Sequence, residues 1–255
     1  MTNKPATSYR LDGRIVLVTG AGDGIGKAVA IAAAGAGATV ILIGRTQSKL
    51  ETVYDQIVAA ALPEPVIHPM DLASAGNEDY ELLGRSILEQ FGRLDVLLHN
   101  AAILGLLGPI QYASPESWTK IMQVNVNAQF MMTRALLPAL LKADSGRILF
   151  TSSSVGRRGR AYWGAYAVSK FATEGMMQVL ADELSTTSRI KVNTINPGAT
   201  RTEMRAAAYP AENPTTLPAP ETLLPAYLYL MSDASEHLNG QALNARDLIK
   251  SLAAE

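Results

Sequence analysis

At 255 residues, 48% of them hydrophobic, the chain is long enough for one α/β domain with a substantial core. Its formal charge of −1 gives no footing for nucleic acid or an anionic membrane surface. The absence of cysteine excludes disulfides, thiolate catalysis and cysteine-ligated metals.

The polar stretch 1–13 lacks the apolar segment of a secretory signal, so a cytoplasmic location is expected. An apolar run near 14–19 reads as a strand, and an Ala-rich helix is predicted near 24–36. Between them lies Thr19-Gly20-Ala21-Gly22-Asp23-Gly24-Ile25-Gly26, a glycine-rich turn of the kind that brings bare backbone N–H groups to a phosphate at a helix N-terminus. The segment 28–44 has the overall apolarity of a membrane span. Gly35, Gly37 and Thr39 interrupt it, and it reads better as a buried helix followed by a buried strand. Further strands are predicted near 39–44, 65–70, 94–99, 146–152, 190–195 and, weakly, 240–245. Helices fall near 47–61, 77–92, 114–142, 162–187 and 220–232. Strands as continuously apolar as Val40-Ile41-Leu42-Ile43 suit a parallel sheet covered on both faces. The alternation implies a single domain, 1–255, of three layers: a doubly wound, Rossmann-type parallel sheet that binds ligands beyond the carboxyl ends of its strands. One irregular segment, 199–221, carries Pro210, Pro214, Pro218 and Pro220, and is expected to be a mobile substrate loop.

Tyr166 and Lys170 stand one helical turn apart on the predicted helix 162–187 and share a face. A phenol titrates near ~10 in water and is a poor acid or base at neutral pH. The expectation is that the lysine charge lowers that value toward working pH. At the end of the second strand Arg45 occupies a place where NAD-selecting enzymes usually carry a carboxylate. A guanidinium there pairs with a 2′-phosphate, so NADP(H) is expected over NAD(H).

With these motifs in order, the chain resembles the short-chain dehydrogenase/reductase family over nearly its whole length. The glycine turn matches that family's T-G-x-x-x-G-I-G, and Tyr166 with Lys170 its catalytic Y-x-x-x-K. Ser153, thirteen residues before Tyr166, falls where the family places its catalytic serine, with Ser152 and Ser154 as neighbours one residue away. Asn125 matches the helical asparagine that completes the tetrad and implies a water-holding role on a proton relay ending at the lysine. His99-Asn100-Ala101-Ala102 stands where N-N-A-G is usual, and Pro197, Gly198 and Thr202 match the P-G-x-x-x-T nicotinamide motif. Within the family, the runs 151–156 and 172–181 look most like the YciK-type oxidoreductases. The resemblance implies cofactor contacts at Gly20, Gly24, Ile25, Gly26, Arg45, Asp71, Leu72, Asn100, Tyr166, Lys170, Pro197, Gly198 and Thr202. For Asp71 the alternative is a helix-capping carboxylate.

The activity so implied is hydride transfer between a nicotinamide and a small carbonyl or alcohol. Tyr166 exchanges the proton, Lys170 holds the ribose hydroxyls, and Ser153 hydrogen-bonds the oxyanion. A non-catalytic dinucleotide-binding regulator is the alternative on the same fold. An epimerase or dehydratase is a weaker one, because its longer relatives carry a larger C-terminal domain. No metal is implied, since His68, His99 and His237 lack ligand spacing and His99 reads as a core histidine. Met131, Met132, Met176 and Met177 read as packing residues on two long helices that form subunit interfaces in related enzymes, so a homodimer or homotetramer is expected. Arg157, Arg158, Arg160, Arg201 and Arg205 suggest an anionic substrate, with Trp163 and Tyr209 as an apolar wall. Near the C-terminus Asn244-Ala245-Arg246 departs from the family's common V-D-G-G and leaves the last strand open to question.

Overall fold

A computed structural model describes residues 9–254; the first eight residues of the polar N-terminal stretch, and residue 255, lie outside that range. Seven strands form among the described residues: β1 (Ile15–Thr19), β2 (Thr39–Gly44), β3 (Val66–Pro69), β4 (Val96–His99), β5 (Arg147–Thr151), β6 (Lys191–Asn196) and β7 (Ala242–Asn244). They make one sheet in the order β3-β2-β1-β4-β5-β6-β7, and every pairing is parallel. Strand order reverses between β1 and β4, where Val16 pairs with Val96. Chains leaving β1 and β4 run to opposite faces, which opens a crevice at their carboxyl ends.

Successive strand residues point to opposite faces, and here both faces are apolar. Val16, Val18, Val40, Leu42, Val96 and Leu98 pack under α1 (Gly24–Gly35) on one side. The helix α2 (Gln47–Ala59) closes that side through Leu50, Val53 and Ile57. Leu17, Ile41, Ile43, Leu97, Ile148 and Phe150 face the other way, toward Tyr80 and Leu83 of α3 (Asn77–Phe91). Met132 and Met177 lie in this second core, with Met131 and Met176 packed against it. Among the described residues no helix is long and apolar enough to cross a membrane.

The long helix predicted over 114–142 is interrupted. It runs as α4 (Pro115–Met122), then a π-helical turn at Gln123–Asn127, then α5 (Ala128–Leu140). The helix α6 (Gly164–Ser185) is continuous. The segment 199–221 is not structureless: it contains α7 (Glu203–Ala208) and short 3-10 turns at Pro214–Thr216 and Pro220–Leu223. The helix α8 (Leu224–Met231) is wholly apolar and mostly buried. The last strand forms although the unusual stretch begins at its final residue, Asn244, and it runs directly into α9 (Ala245–Leu252), a helix not predicted from the sequence. Its Ala245, Leu248, Ile249 and Leu252 pack on the first core.

Candidate active site

A cleft of about 690 Å³ opens at the carboxyl ends of β1, β2, β4, β5 and β6. Its floor begins at the glycine turn. Gly20 and Gly24 have φ of +68° and +51°, conformations that side chains rarely tolerate. A Cβ at Gly26 would lie 2.2 Å from the Gly20 carbonyl oxygen, so only glycine lets the helix start this close to the strand. Thr19 secures the crossing point: its Oγ1 accepts from the backbone N–H of Asn100 (2.9 Å) and of Ala101 (3.0 Å). Asn100 in turn donates from Nδ2 to the Thr19 carbonyl at 3.2 Å.

Asp23 caps α1, accepting from the Gly24 N–H at 2.6 Å. Its other oxygen takes a hydrogen bond from Lys49 Nζ at 2.5 Å, and that ammonium also lies 3.6 Å from Glu203 of α7. Lys49 thereby holds the Asp23 carboxyl below its ordinary value. This pairing offsets an acidic charge at the mouth of the phosphate cradle, and nothing in the residue spacing foretells it. Arg45 lines the cleft beyond the end of β2, exposed and, among the described residues, without a hydrogen bond or ion pair. Asp71 and Leu72 also line it. Asp71 accepts from the Ala73 N–H at 3.1 Å within its own turn. It does not cap α3, whose N-cap is Gly76 with Asp79 reaching back to it.

At the other end of the cleft stand Ser153, Tyr166 and Lys170. Ser152 is buried and donates to Glu174 Oε1 at 2.6 Å, while Ser154 is exposed. Ser153 lies between them as the cap of a 3-10 turn at Ser154–Gly156, and its hydroxyl hydrogen-bonds Tyr166. Lys170 is fully buried and donates from Nζ to the Thr151 carbonyl at 2.7 Å. Its ammonium lies 5.6 Å from the centre of the Tyr166 ring.

The electrostatics differ from the expectation. Burial pushes the Tyr166 phenol up to about 12, and the hydrogen bond from Ser153 only partly opposes this. Burial also lowers Lys170 to about 8, against the pull of Glu174 one turn further along α6. Desolvation dominates, and the phenol is not brought near neutral pH. Tyr166 is held as a neutral acid.

Asn125 and Gly26 stand behind the cleft wall rather than in it. Asn125 is fully buried on the π turn. Its Oδ1 accepts from the Ile103 N–H at 2.8 Å, and its Nδ2 donates to the Ile103 carbonyl at 2.9 Å and to Ser169 Oγ at 3.0 Å. Ser169 then donates to the Tyr166 carbonyl at 2.7 Å, so Asn125 reaches the tyrosine and lysine only through the backbone of α6. Asn127 turns outward to Gln123. His99 is a core residue, stacked on Phe150 at 4.8 Å, bonded to Thr133 at 2.8 Å, and lowered by burial to about 3.

Pro197, Gly198 and Thr202 border the cleft, and Thr202 caps α7. Trp163 and Tyr209 form an apolar wall, their ring centres 6.0 Å apart. The five arginines do not act together. Arg157 faces Glu174 and β7, Arg205 is paired with Glu212 at 2.6 Å, and Arg201 lines a separate hollow beside Lys27 and Glu221. Arg158 is exposed and outside the cleft lining. Arg160 and the paired Arg205 do line it, and Arg160 donates to the Tyr209 hydroxyl at 2.7 Å. Glu174 belongs to none of the motifs, and its one signal is its position four residues after Lys170. Asn244 and Arg246 were legible only as departures from V-D-G-G, without a role.

Comparison with known proteins agrees with this geometry. Residues 14–213 match the family described as short chain dehydrogenase. The oxidoreductase YciK of Escherichia coli K12 is 52% identical over 236 residues, spanning 92% of this chain and 93% of that protein. The crystal structure of YciK from E. coli superimposes with a TM-score of 0.91 at 50% identity, covering 96% of this chain and all of that one. A short chain dehydrogenase from Shigella flexneri 2a, solved in complex with NADP, gives a TM-score of 0.91 at 51% identity, over 93% of this chain and 99% of that one.

Proposed function

The chain belongs to the short chain dehydrogenase family, and from that premise we infer an NADP(H)-dependent oxidoreductase acting on a carbonyl or alcohol substrate. One observation carries the reading: Ser153, Tyr166 and Lys170 meet in the same cleft that begins at the glycine turn and Arg45. The residues fit a dinucleotide, since the positive-φ glycines and the N-terminus of α1 present backbone N–H groups to a pyrophosphate. Arg45, exposed and, among the described residues, unpaired, would take the 2′-phosphate. NADP bound to the Shigella relative supports the same choice.

When bound, the nicotinamide supplies or takes up the hydride. Tyr166, kept neutral by its burial, would give its proton to the carbonyl oxygen during reduction. Ser153 would hydrogen-bond that oxygen as charge develops on it. Lys170 donates one N–H to the Thr151 carbonyl, which leaves its others for ribose hydroxyls. Asn125 would keep the backbone on both sides of the tyrosine in place, with any relay water held nearby. Trp163 and Tyr209 would pack on apolar parts of the substrate, and Arg160 is the cleft arginine left to meet an anionic substituent. A homodimer or homotetramer is supported by Phe130 on α5 and Val168, Phe171 and Val179 on α6, all exposed.

The test is one set of titrations and turnovers with a panel of neutral and anionic carbonyl compounds. Tyr166→Phe is expected to lose turnover by at least about a thousandfold while NADPH affinity stays within a few-fold. NADPH should bind more tightly than NADH, and Arg45→Ala should remove most of the gap. Near-native turnover in the Tyr166→Phe protein would overturn the mechanism, and equal affinities for the two nucleotides would overturn the cofactor choice. A preference for anions that fades with salt would support the role of Arg160, and indifference to charge would remove it.

A further inference from the structure

Two loops flank the proposed reacting atoms: one leaves β5 and carries Ser153, the other leaves β6 and carries Pro197 and Gly198. Both are tied to one corner of the fold, the turn from β7 into α9. Asn244 Oδ1 accepts from Arg157 Nη1 of the serine loop at 2.9 Å and from Asn196 Nδ2 at the start of the other loop at 3.1 Å. Its own Nδ2 donates to Asp247 at 3.0 Å, fixing the amide's orientation. Arg246 Nη2 donates to the Ala199 carbonyl, and its guanidinium lies over Gly198, where a Cβ would come within 3.6 Å of Nε.

The connection continues inward. Arg157 Nη2 donates to the Leu243 carbonyl at 2.9 Å and its Nε to Glu174 Oε1 at 3.1 Å. Glu174 is buried, and also accepts from Ser152 Oγ at 2.6 Å and from Thr194 Oγ1 at 2.7 Å. The corner is anchored to the fold through Ala245 and Leu252 of α9, which are buried in the core. Asn244 and Arg246 occupy the stretch where V-D-G-G is common in the family, so these contacts come from residues in which this chain departs from that pattern.

We propose that Asn244 and Arg246 are positioning residues, a C-terminal clamp that acts with Arg157 and Glu174 to fix the serine loop and the nicotinamide loop relative to each other. The proposal rests on the oxidoreductase reading for its catalytic consequence but not for its mechanical one. Loops placed by hydrogen bonds from a packed corner hold reacting groups more exactly than loops left to solvent. The serine loop is reached by two routes, Arg157 from the corner and Glu174 from α6, which meet at one guanidinium. Substitutions on the two routes should therefore interact.

The first measurement is amide hydrogen exchange of the full-length protein without ligand. Arg246→Ala should speed exchange in the loop 198–202 by about tenfold, Arg246→Lys should restore most of the protection, and the strands should be unaffected. The second is calorimetric titration with NADPH, where Arg246→Ala should weaken binding by about five- to tenfold. The third is turnover of an aromatic vicinal diketone. Asn244→Ala and Glu174→Gln should each lower kcat by about tenfold with KM within twofold, and the double variant should fall short of the product of the two losses. Unchanged loop exchange in Arg246→Ala, or a lowered melting temperature with unchanged NADPH affinity and kcat, would overturn the clamp. Failure of the unmodified protein to reduce any carbonyl compound would count against the oxidoreductase reading alone, since exchange still decides the clamp.

Discussion

Tyr166 and Lys170 are buried side by side, and burial acts on them in opposite senses: the phenol rises to about 12 and the ammonium falls to about 8. Spacing on a helix predicted their proximity. It could not predict the sign of the tyrosine's shift, because desolvation depends on what the rest of the chain packs around the pair. The lysine's shift has a measurable consequence for stability. In the unfolded chain a lysine keeps its proton to about pH 10.5, whereas Lys170 in the fold releases it near 8. Between those values the unfolded state binds more protons, so raising the pH favours the fold. Urea denaturation is expected to show the native protein gaining about 2 kcal/mol, relative to Lys170→Met, between about pH 7.5 and 9.5. Tyr166 acts in the opposite direction: above about pH 10 an unfolded tyrosine ionises first, the folded state then binds more protons, and the fold loses stability. A pH-independent difference between the two proteins would show that Lys170 is not held at a lowered value.

The π turn at Gln123–Asn127 gives the clearest case of an element whose chemistry exceeds its pattern. An extra residue in one turn rotates the rest of the helix and lets Asn125 face inward, where it serves both the N–H and the carbonyl of Ile103. Asn125→Ala strips partners from these groups and from Ser169, and should destabilise the fold by about 2–4 kcal/mol in chemical denaturation. A loss below about 0.5 kcal/mol would mean that water replaces the side chain without difficulty. The sequence announced a helix here and an asparagine worth noting, but a single π turn leaves the apolar spacing almost unaltered. The final helix is a different kind of miss. Ala245, Leu248, Ile249 and Leu252 carry a helical i, i+3, i+4, i+7 spacing in plain view. The absent V-D-G-G masked it, because a broken strand motif and the start of a helix fall on the same residues. The strands, by contrast, were readable to within one or two residues: the inner parallel strands, buried on both faces, leave clear apolar runs, while the exposed edge strand β7 left only a weak one.

For the molecule as a whole, the sheet and the cleft at its carboxyl ends followed from alternation and one glycine turn, both local signals. The arginines could not be sorted in that way. Arg157 meets Glu174 and Asn244 through folding that its sequence neighbours do not reveal, whereas Arg205 meets Tyr209 and Glu212 within its own segment, in contacts that only the local backbone path decides. Assembly is likewise a property of the finished surface. Phe171 is 46% exposed on α6, with Val168 and Val179 on the same side and a bare Gly175 between them. Light scattering is expected to give a dimer or tetramer for the unmodified protein and a smaller species for Phe171→Glu; a monomer in both would end the proposal. The sheet's strand order also dictates the timing of folding. β1 lies between β2 and β4, and Val16 meets Val96 only after three complete strand–helix units have been made. Until then one edge of the most apolar strand has no neighbour, and the closure that supplies it is entropically slow. During synthesis or refolding, that open edge is the point at which two half-built chains would most readily adhere to each other.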